Sequence, residues 1–294
     1  MNQSDSPNRI EKFVGPGNVP MVRLIHSSGY SATVSEYGGH LLSWMSPTEQ
    51  EVLFVSSRAA YEIGKPIRGG MPIIFPQFGK GELPQHGFAR VKQWKVVREQ
   101  VSTNEAVSVT LRLSSDRSTE SIWPHPFTLE LEIVVTDVLL TVLRIINTGR
   151  EEFSFHSALH TYFRTNDISS AWLEGLREIE YVDFLQDRKN CLEQRSRVAI
   201  TEPIDRAYRD SPETLWLGLP GNATRVAITK EGFRDTVVWN PWSEGAQKIS
   251  DLAPEEYSHM VCVESGNVLS PVILEAGDVH TSAQILRVEP IQGV

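Results

Sequence analysis

The chain has 294 residues, of which 40% are hydrophobic and 22% are charged, a composition typical of globular proteins rather than of disordered or membrane-spanning ones. Its net charge of −9 argues against a general surface for nucleic acid or anionic membranes, although a few local arginines can still hold a small anion. Two cysteines, Cys191 and Cys262, are too few for a disulfide framework or a CxxC zinc site.

The N-terminal twenty residues are polar and rich in glycine and proline, and we expect residues 1–20 to form a polar lead-in and residues 21–294 a single domain. The lead-in has no apolar segment of a secretory signal and is too acidic for a transit peptide, so we expect a cytoplasmic protein. Residues 94–98 and 107–113 alternate in polarity around a polar turn, and residues 127–135 alternate strictly, which predicts strands with one buried face.

The same pattern continues towards the C-terminus. Residues 139–146 predict the partner of the preceding strand, and residues 284–288 predict a last strand. Residues 226–229 and 236–239, separated by a turn at Gly232, predict a further hairpin. Hairpins in series with few helical stretches predict an all-β protein, a large antiparallel β-sandwich.

Four segments carry side chains that can do chemistry. The first, residues 67–79, contains neither a Walker nor a dinucleotide-binding pattern, and its glycines and prolines indicate a constrained loop. A simple turn between strands explains this composition, but Arg68 before a glycine pair is also a candidate for binding an anion through its guanidinium. In the second segment Gln85, His86 and Arg90 bring an amide, an imidazole and a guanidinium into one loop. These groups suit hydroxyl and phosphate recognition, and a plain surface loop is equally compatible.

The third segment contains two histidines on one strand face. Alternation places His156, His160 and Tyr162 on one face and Phe153 and Phe155 on the other. No third ligand accompanies the two histidines, so we expect no metal, and a packed histidine is the simpler alternative for each. A general acid or base is the sharper hypothesis because imidazole titrates near neutral pH.

The fourth segment ends an apolar strand with Glu264, which shares a face with Cys262. A carboxylate there is either the first solvent-facing residue or, in a cleft, a base whose pKa burial would raise. We interpret Cys262 as a packed thiol. Asp205 is expected to be a lone carboxylate in a loop, and Trp239 and Trp242 lie in an aromatic loop that suits either a sugar face or the core.

Together these segments resemble the hexose-6-phosphate mutarotases, also called glucose-6-phosphate 1-epimerases, of the aldose 1-epimerase superfamily, over roughly residues 20–290. The motifs, in order, are IRGGMPIIFPQFG (67–79), LPQHGFAR (83–90), LHTYF (159–163), DRAY (205–208), VVWNPW (237–242) and CVESGN (262–267). Each motif is short, and their common order makes the match specific.

The resemblance implies a galactose-mutarotase-like β-supersandwich and an isomerase that exchanges the α and β anomers of glucose 6-phosphate or a related aldohexose 6-phosphate. It implies that His160 and Glu264 are the catalytic acid and base. It also implies the substrate contacts, namely Arg68, Gln85, His86, Arg90 and Asp205. Because one imidazole and one carboxylate suffice for ring opening, no metal or cofactor is expected.

Two alternatives stay open, a mutarotase for unphosphorylated aldoses and an inactive carbohydrate-binding protein. We expect a small sugar phosphate as the partner, with no nucleic acid or membrane, and a monomer rather than an obligate oligomer. An acid must begin protonated, so we expect a neighbouring carboxylate or polar site to hold the pKa of His160 near or above neutral.

Overall fold

The computed structural model describes residues 8–102 and 105–291, and strands dominate this part of the chain. The strands, in chain order, are β1 (Arg9–Val14), β2 (Pro20–Ile25), β3 (Ser31–Ser35), β4 (His40–Met45), β5 (Ile73–Ile74), β6 (Lys95–Val101), β7 (Val107–Ser114), β8 (Phe127–Val135), β9 (Leu139–Asn147), β10 (Phe153–Leu159), β11 (Tyr162–Arg164), β12 (Trp172–Glu174), β13 (Glu180–Asp183), β14 (Lys189–Leu192), β15 (Arg197–Ala199), β16 (Ile204–Tyr208), β17 (Thr214–Leu219), β18 (Thr224–Glu231), β19 (Asp235–Asn240), β20 (Met260–Leu274) and β21 (Val279–Pro290).

Helices are short and few. The α-helices are α1 (Arg117–Glu120) and α2 (Trp242–Ala246), and the 3₁₀ turns are Pro16–Asn18, Ala89–Val91, Ile168–Ser170, Pro220–Asn222 and Glu256–His259. Within the described ranges, no helix has both the length and the apolarity that crossing a bilayer requires.

The strands form three sheets in which the strand pairs are antiparallel. The four-stranded sheet has the order β1-β2-β3-β4, and the nine-stranded sheet has the order β15-β12-β17-β18-β21-β9-β8-β7-β6. The eight-stranded sheet has the order β14-β13-β16-β19-β20-β10-β5, with β11 also paired to β20. This architecture confirms the prediction of a large antiparallel β-sandwich with few short helices.

Strict alternation determines which face of each sheet is buried. Along β8 the odd-numbered residues from Phe127 to Val135 are buried, and the residues between them are half-buried. The outer face of this sheet carries ion pairs between adjacent strands, such as Arg112 with Glu130 at 2.6 Å. Because side chains alternate with a period of two, the sheet presents one apolar face to the core and one polar face to water.

One core cluster takes buried side chains from all three sheets, including Trp44, Leu131 and Val263. A shared core of this kind supports our proposal that the chain from residue 21 onward forms one domain. Within it, Phe75 lies among four aromatic rings whose centroids are 5.2 to 6.2 Å away.

The predicted hairpin at Gly232 is wrong. Strand β18 pairs with β17 and β21 in the nine-stranded sheet, whereas β19 pairs with β16 and β20 in the eight-stranded sheet. The chain therefore crosses between sheets here. The buried Lys230 ammonium holds the crossing in place by donating to the carbonyls of Ser211, Phe233 and Arg234 at 2.8 to 3.0 Å.

Part of the expected lead-in is also a regular strand. Residues 1–7 lie outside the described residues, but β1 pairs with β2 over its full length, from Arg9 opposite Ile25 to Val14 opposite Pro20. Ile10 packs against the core. Polar residues on the outer side of an edge strand gave this segment the composition of a loop.

Replacing Phe75 with alanine should lower the free energy of unfolding by about 3–5 kcal/mol, because it leaves a cavity among packed aromatic rings. Urea denaturation followed by tryptophan fluorescence measures the loss. Ile63→Ala is the control, since Ile63 is 94% exposed and its truncation should change stability by less than about 0.5 kcal/mol. Equal effects of the two substitutions would contradict the assignment of Phe75 to the core.

Candidate active site

A cavity of about 590 Å³ lies over the face of the eight-stranded sheet that points away from the core. Strand β20 contributes side chains to both faces of this sheet. Val261 and Val263 belong to the main core cluster, and Glu264 lines the cavity on the other face. Of the catalytic and substrate-binding residues that the resemblance implies, all except Arg90 contribute to the cavity wall.

His160 and Glu264 lie side by side at the floor of this cavity. The imidazole Nε2 is 3.3 Å from the carboxyl Oε1, and both side chains are almost fully buried. The pairing of Leu159 with Ser265 and of Tyr162 with Cys262 places His160 across from Glu264 on neighbouring strands. The prediction that these two residues form one site is consistent with this geometry.

The protonation of the pair differs from the sequence expectation. Burial raises the pKa of Glu264 well above its usual value, and the nearby Asp205 raises it further. Burial also lowers the pKa of His160 well below its usual value, with His86 and Arg90 adding to the effect. The expectation of a near-neutral or higher pKa for His160 is therefore wrong, because desolvation outweighs the adjacent carboxyl group.

Two aromatic groups fix the plane of the His160 ring. Tyr162 stacks on it with a centroid distance of 4.8 Å and an interplanar angle of 8°, and His86 meets it edge-on at 5.7 Å. The Tyr162 hydroxyl accepts a hydrogen bond from Arg68 at 3.0 Å. The alternation in the sequence places Tyr162 on the same face as His160, but we assigned Tyr162 no role. That shared face is the feature of the sequence that indicates a contact between the two rings.

Arg68 lies in the wall, and its charge is balanced. Its guanidinium is 3.1 Å from the Asp251 carboxylate, a partner that no pattern in the sequence indicates. The backbone that follows requires glycine at two positions, since Gly69 and Gly70 have φ of 107° and 64°. A Cβ at Gly69 would collide with the backbone of Phe54, so the loop holds Arg68 in a fixed place.

Gln85 and His86 line the cavity, whereas Arg90 does not line it and contacts the backbone of Gln85. The Arg90 guanidinium donates to the Gln85 carbonyl at 3.0 Å. Burial, together with Arg90 and Arg68, lowers the pKa of His86 to about 3, so this ring is neutral at physiological pH. Its Nδ1 accepts a hydrogen bond from the Gly79 amide at 3.3 Å.

Asp205 occupies a strand, which corrects the prediction of a loop. Strand β16 pairs with β13 on one side and with β19 on the other, where Asp205 lies opposite Trp239. Strand alternation thus turns its carboxyl group into the cavity. Burial, assisted by the charge of Asp183, raises the pKa of Asp205 to about 6.

Two further cations, Lys80 and Arg188, line the cavity and were not identified from the sequence. Lys80 comes shortly after Phe78 in the chain, and Arg188 comes shortly after Phe184. Both phenylalanines pack against the same small apolar cluster. Arg188 lies over the Phe184 ring at 5.0 Å. In the described ranges neither cation has a carboxylate within ion-pair distance, so their charge is available to a ligand.

Across residues 8–102 and 105–291 no three His, Cys, Asp or Glu side chains are grouped so as to hold a metal ion.

Comparison with known sequences gives a consistent result. Residues 20–287 match the family described as aldose 1-epimerase. A protein from Cenchrus ciliaris with the provisional name glucose-6-phosphate 1-epimerase is 35% identical over 272 residues, which cover 90% of this chain and 83% of that protein. A protein with the same provisional name from Escherichia coli K12 is 30% identical over 237 residues, covering 80% of this chain and 79% of that protein.

Solved structures show the same architecture. A Salmonella typhimurium protein described provisionally as a mutarotase superposes with a TM-score of 0.87 at 26% identity, covering 99% of this chain and 96% of that one. A galactose mutarotase-like protein from Clostridium acetobutylicum superposes with a TM-score of 0.77 at 13% identity, covering 97% and 99% of the two chains. The second likeness concerns the fold alone, and it confirms the prediction of a galactose-mutarotase-like supersandwich.

Asp205→Asn should make the protein more stable above pH 6. A carboxyl group with a raised pKa binds its proton more tightly in the folded state, so its contribution to stability falls as pH rises from about 4 through 6. An asparagine carries no charge and escapes this loss, which we expect to be about 1–3 kcal/mol at pH 8.

Urea denaturation at pH 4, 6 and 8 tests this expectation, with Asp187→Asn in an exposed turn as the control. The gain of Asp205→Asn should be absent at pH 4 and present at pH 8. A gain that does not vary with pH would show that the Asp205 carboxyl group is not the cause.

Proposed function

The chain belongs to the aldose 1-epimerase family, and from that premise we propose that it interconverts the α and β anomers of an aldohexose 6-phosphate, such as glucose 6-phosphate. The observation that carries the proposal is the buried contact between the His160 imidazole and the Glu264 carboxyl group in a cavity lined by cations. The protein would act as an isomerase on a small sugar phosphate.

Anomer exchange requires two proton transfers at the hemiacetal carbon. The Glu264 carboxylate takes the proton from the C1 hydroxyl while the His160 imidazolium gives a proton to the ring oxygen O5. The C1–O5 bond breaks and the C1–O1 bond becomes a carbonyl, giving the open-chain aldehyde. Rotation about C1–C2 presents the other face, O5 returns its proton to His160 as it attacks C1, and O1 recovers a proton from Glu264.

The cycle needs a single proton shared between the two members of the buried pair. Transfer from the Glu264 carboxyl to His160 across the 3.3 Å contact gives imidazolium and carboxylate without a change in proton count. After ring opening the histidine is neutral and the carboxyl is protonated. This neutral arrangement is the one that burial favours, so the surroundings of the pair stabilise the open-chain stage.

Polar groups around the pair suit the sugar hydroxyls. Gln85, His86 and Asp205 present an amide, a neutral imidazole and a carboxyl group to the cavity. The Trp239 ring, which meets His160 at a centroid distance of 6.3 Å, provides a face for sugar C–H groups. We propose that these residues hold the pyranose ring above the catalytic pair.

Local charge supports a phosphorylated substrate in spite of the net charge of −9. Arg68 lies in a fixed position, and Lys80 and Arg188 add charge that no carboxylate offsets within the described ranges. At physiological ionic strength the Debye length is about 8 Å, so these short-range charges outweigh the charge of the whole protein. Arg90 takes part as a substrate-binding residue through the Gln85 carbonyl that it holds.

Glu264→Gln removes the base and His160→Asn removes the acid, so each should lower kcat for anomer exchange about 10²- to 10⁴-fold. NMR saturation transfer between the anomeric protons of glucose 6-phosphate measures the rate above the spontaneous exchange in buffer. The double variant should be little worse than the poorer single variant, because the two groups act as a unit.

Glu202→Gln serves as the control, since this exposed glutamate lies outside the cavity wall. Circular dichroism should show that all variants are folded. A single variant at His160 or Glu264 that keeps nearly full kcat would show that its residue is misassigned, and a wild type with no exchange above buffer would favour a carbohydrate-binding role.

Arg68→Ala should raise KM for glucose 6-phosphate roughly 10- to 150-fold, the effect of losing a charge-assisted hydrogen bond, and should leave the rate on free glucose nearly unchanged. Arg90→Ala should affect both substrates equally, because Arg90 does not line the cavity and acts through its hydrogen bond to the Gln85 carbonyl. The measurement is kcat/KM on both sugars. Equal losses on both for Arg68→Ala would contradict a phosphate contact, and a wild type that prefers glucose would indicate an aldose mutarotase.

A further inference from the structure

Gln284 is a buried amide that joins the two large sheets beneath the catalytic pair. It belongs to β21 in the nine-stranded sheet, and its side chain is fully buried. Its Oε1 accepts a hydrogen bond from the Thr161 hydroxyl at 3.0 Å, and its Nε2 donates to the Ser265 hydroxyl at 2.7 Å. A polar side chain in an apolar core is costly unless it is satisfied, and here both ends have partners.

The two residues that Gln284 binds are the chain neighbours of the catalytic pair. Thr161 follows His160, and Ser265 follows Glu264. Because successive side chains point to opposite faces, Thr161 and Ser265 face the core while His160 and Glu264 face the cavity. Through the side chains of Thr161 and Ser265, one amide therefore links the chain segments that carry both catalytic residues, from the core side of the sheet.

This connection lies where the pairing of strands with β20 is interrupted. Strand β10 ends at Leu159 and β11 begins at Tyr162, so His160 and Thr161 fall in the gap between them. The His160 amide bonds to the Pro72 carbonyl rather than to β20. Only the Thr161 carbonyl, which accepts from Val263 at 3.1 Å, continues the backbone pairing across this gap among the described hydrogen bonds.

We propose that Gln284 is a positioning residue that sets the separation of the His160 imidazole from the Glu264 carboxyl group. This inference rests on the proposed function for its kinetic consequence. Gln284 touches neither cavity nor substrate, so its loss acts on the geometry of proton transfer and not on sugar binding. Misplacement of reacting groups by about 1 Å can cost about 10²-fold in rate.

The first test is Gln284→Leu, with kinetics on glucose 6-phosphate. We expect kcat to fall about 10- to 100-fold and KM to stay within about twofold of wild type. Ser282→Ala is the matched control, because Ser282 is buried on the same strand and face and its hydroxyl has no hydrogen-bond partner in the described structure. This control should retain the wild-type kcat.

Gln284→Leu also takes the amide partner from two buried hydroxyls, which by itself lowers stability: among the described hydrogen bonds Ser265 keeps none, and Thr161 keeps only the Leu159 carbonyl at 3.5 Å. The triple variant Thr161→Val, Ser265→Ala, Gln284→Leu removes both hydroxyls and should recover most of the lost stability. Its kcat should remain as low as that of Gln284→Leu. A return of kcat together with stability would overturn the proposal and leave Gln284 as a packing residue only.

A second readout does not depend on turnover. In ¹⁵N NMR spectra of the imidazole groups, Gln284→Leu and the triple variant should shift the His160 signals, while those of His125, which packs against Trp123 outside the cavity, stay in place. Unchanged His160 signals with wild-type kcat would refute the positioning role alone. A wild type without anomer exchange would refute the proposed function, and shifted His160 signals would still support the positioning role.

Discussion

One face of strand β20 packs in the apolar core and the other lines the polar cavity, and the architecture depends on this separation. Val261 and Val263 pack in the main core, whereas on the opposite face Glu264 lines a polar cavity and Cys262 packs in a separate apolar cluster. A shift of register by one residue would place a carboxyl group in the core and a valine at the site of chemistry. The surrounding pairings of β19, β10 and β11 with β20 hold this register from both sides.

The pKa shifts of His160, Glu264 and Asp205 follow from burial more than from charged neighbours. Burial lowers the pKa of His160 and raises the pKa values of Glu264 and Asp205, so it favours the uncharged form of each group. Arg68, in contrast, keeps its charge because Asp251 and Tyr162 contact its guanidinium. The site therefore combines proton-transfer groups whose uncharged forms are favoured by burial with cations at its wall, an arrangement that favours a neutral sugar ring carrying an anionic substituent.

Period-two patterns in the sequence predicted much of this arrangement. The alternation in β8, the common face of His160 and Tyr162, and the common face of Cys262 and Glu264 all follow from local residue order. The crossing at Gly232 was missed because a turn between two sheets and a turn within a hairpin have the same local sequence signature.

Other features of the site depend on distant partners. Asp251 lies 183 residues from Arg68, and Gln284 lies 123 residues from Thr161, so no spacing in the chain indicates either contact. The pKa of His160 was not predicted because it depends on how deeply the fold buries the ring.

The same burial protects the Cys262 thiol: its pKa lies well above the usual value and it is inaccessible to solvent. Since thiolates are the form that peroxides and electrophiles attack, oxidants would meet the half-exposed Cys191 long before the sulfur beside Glu264.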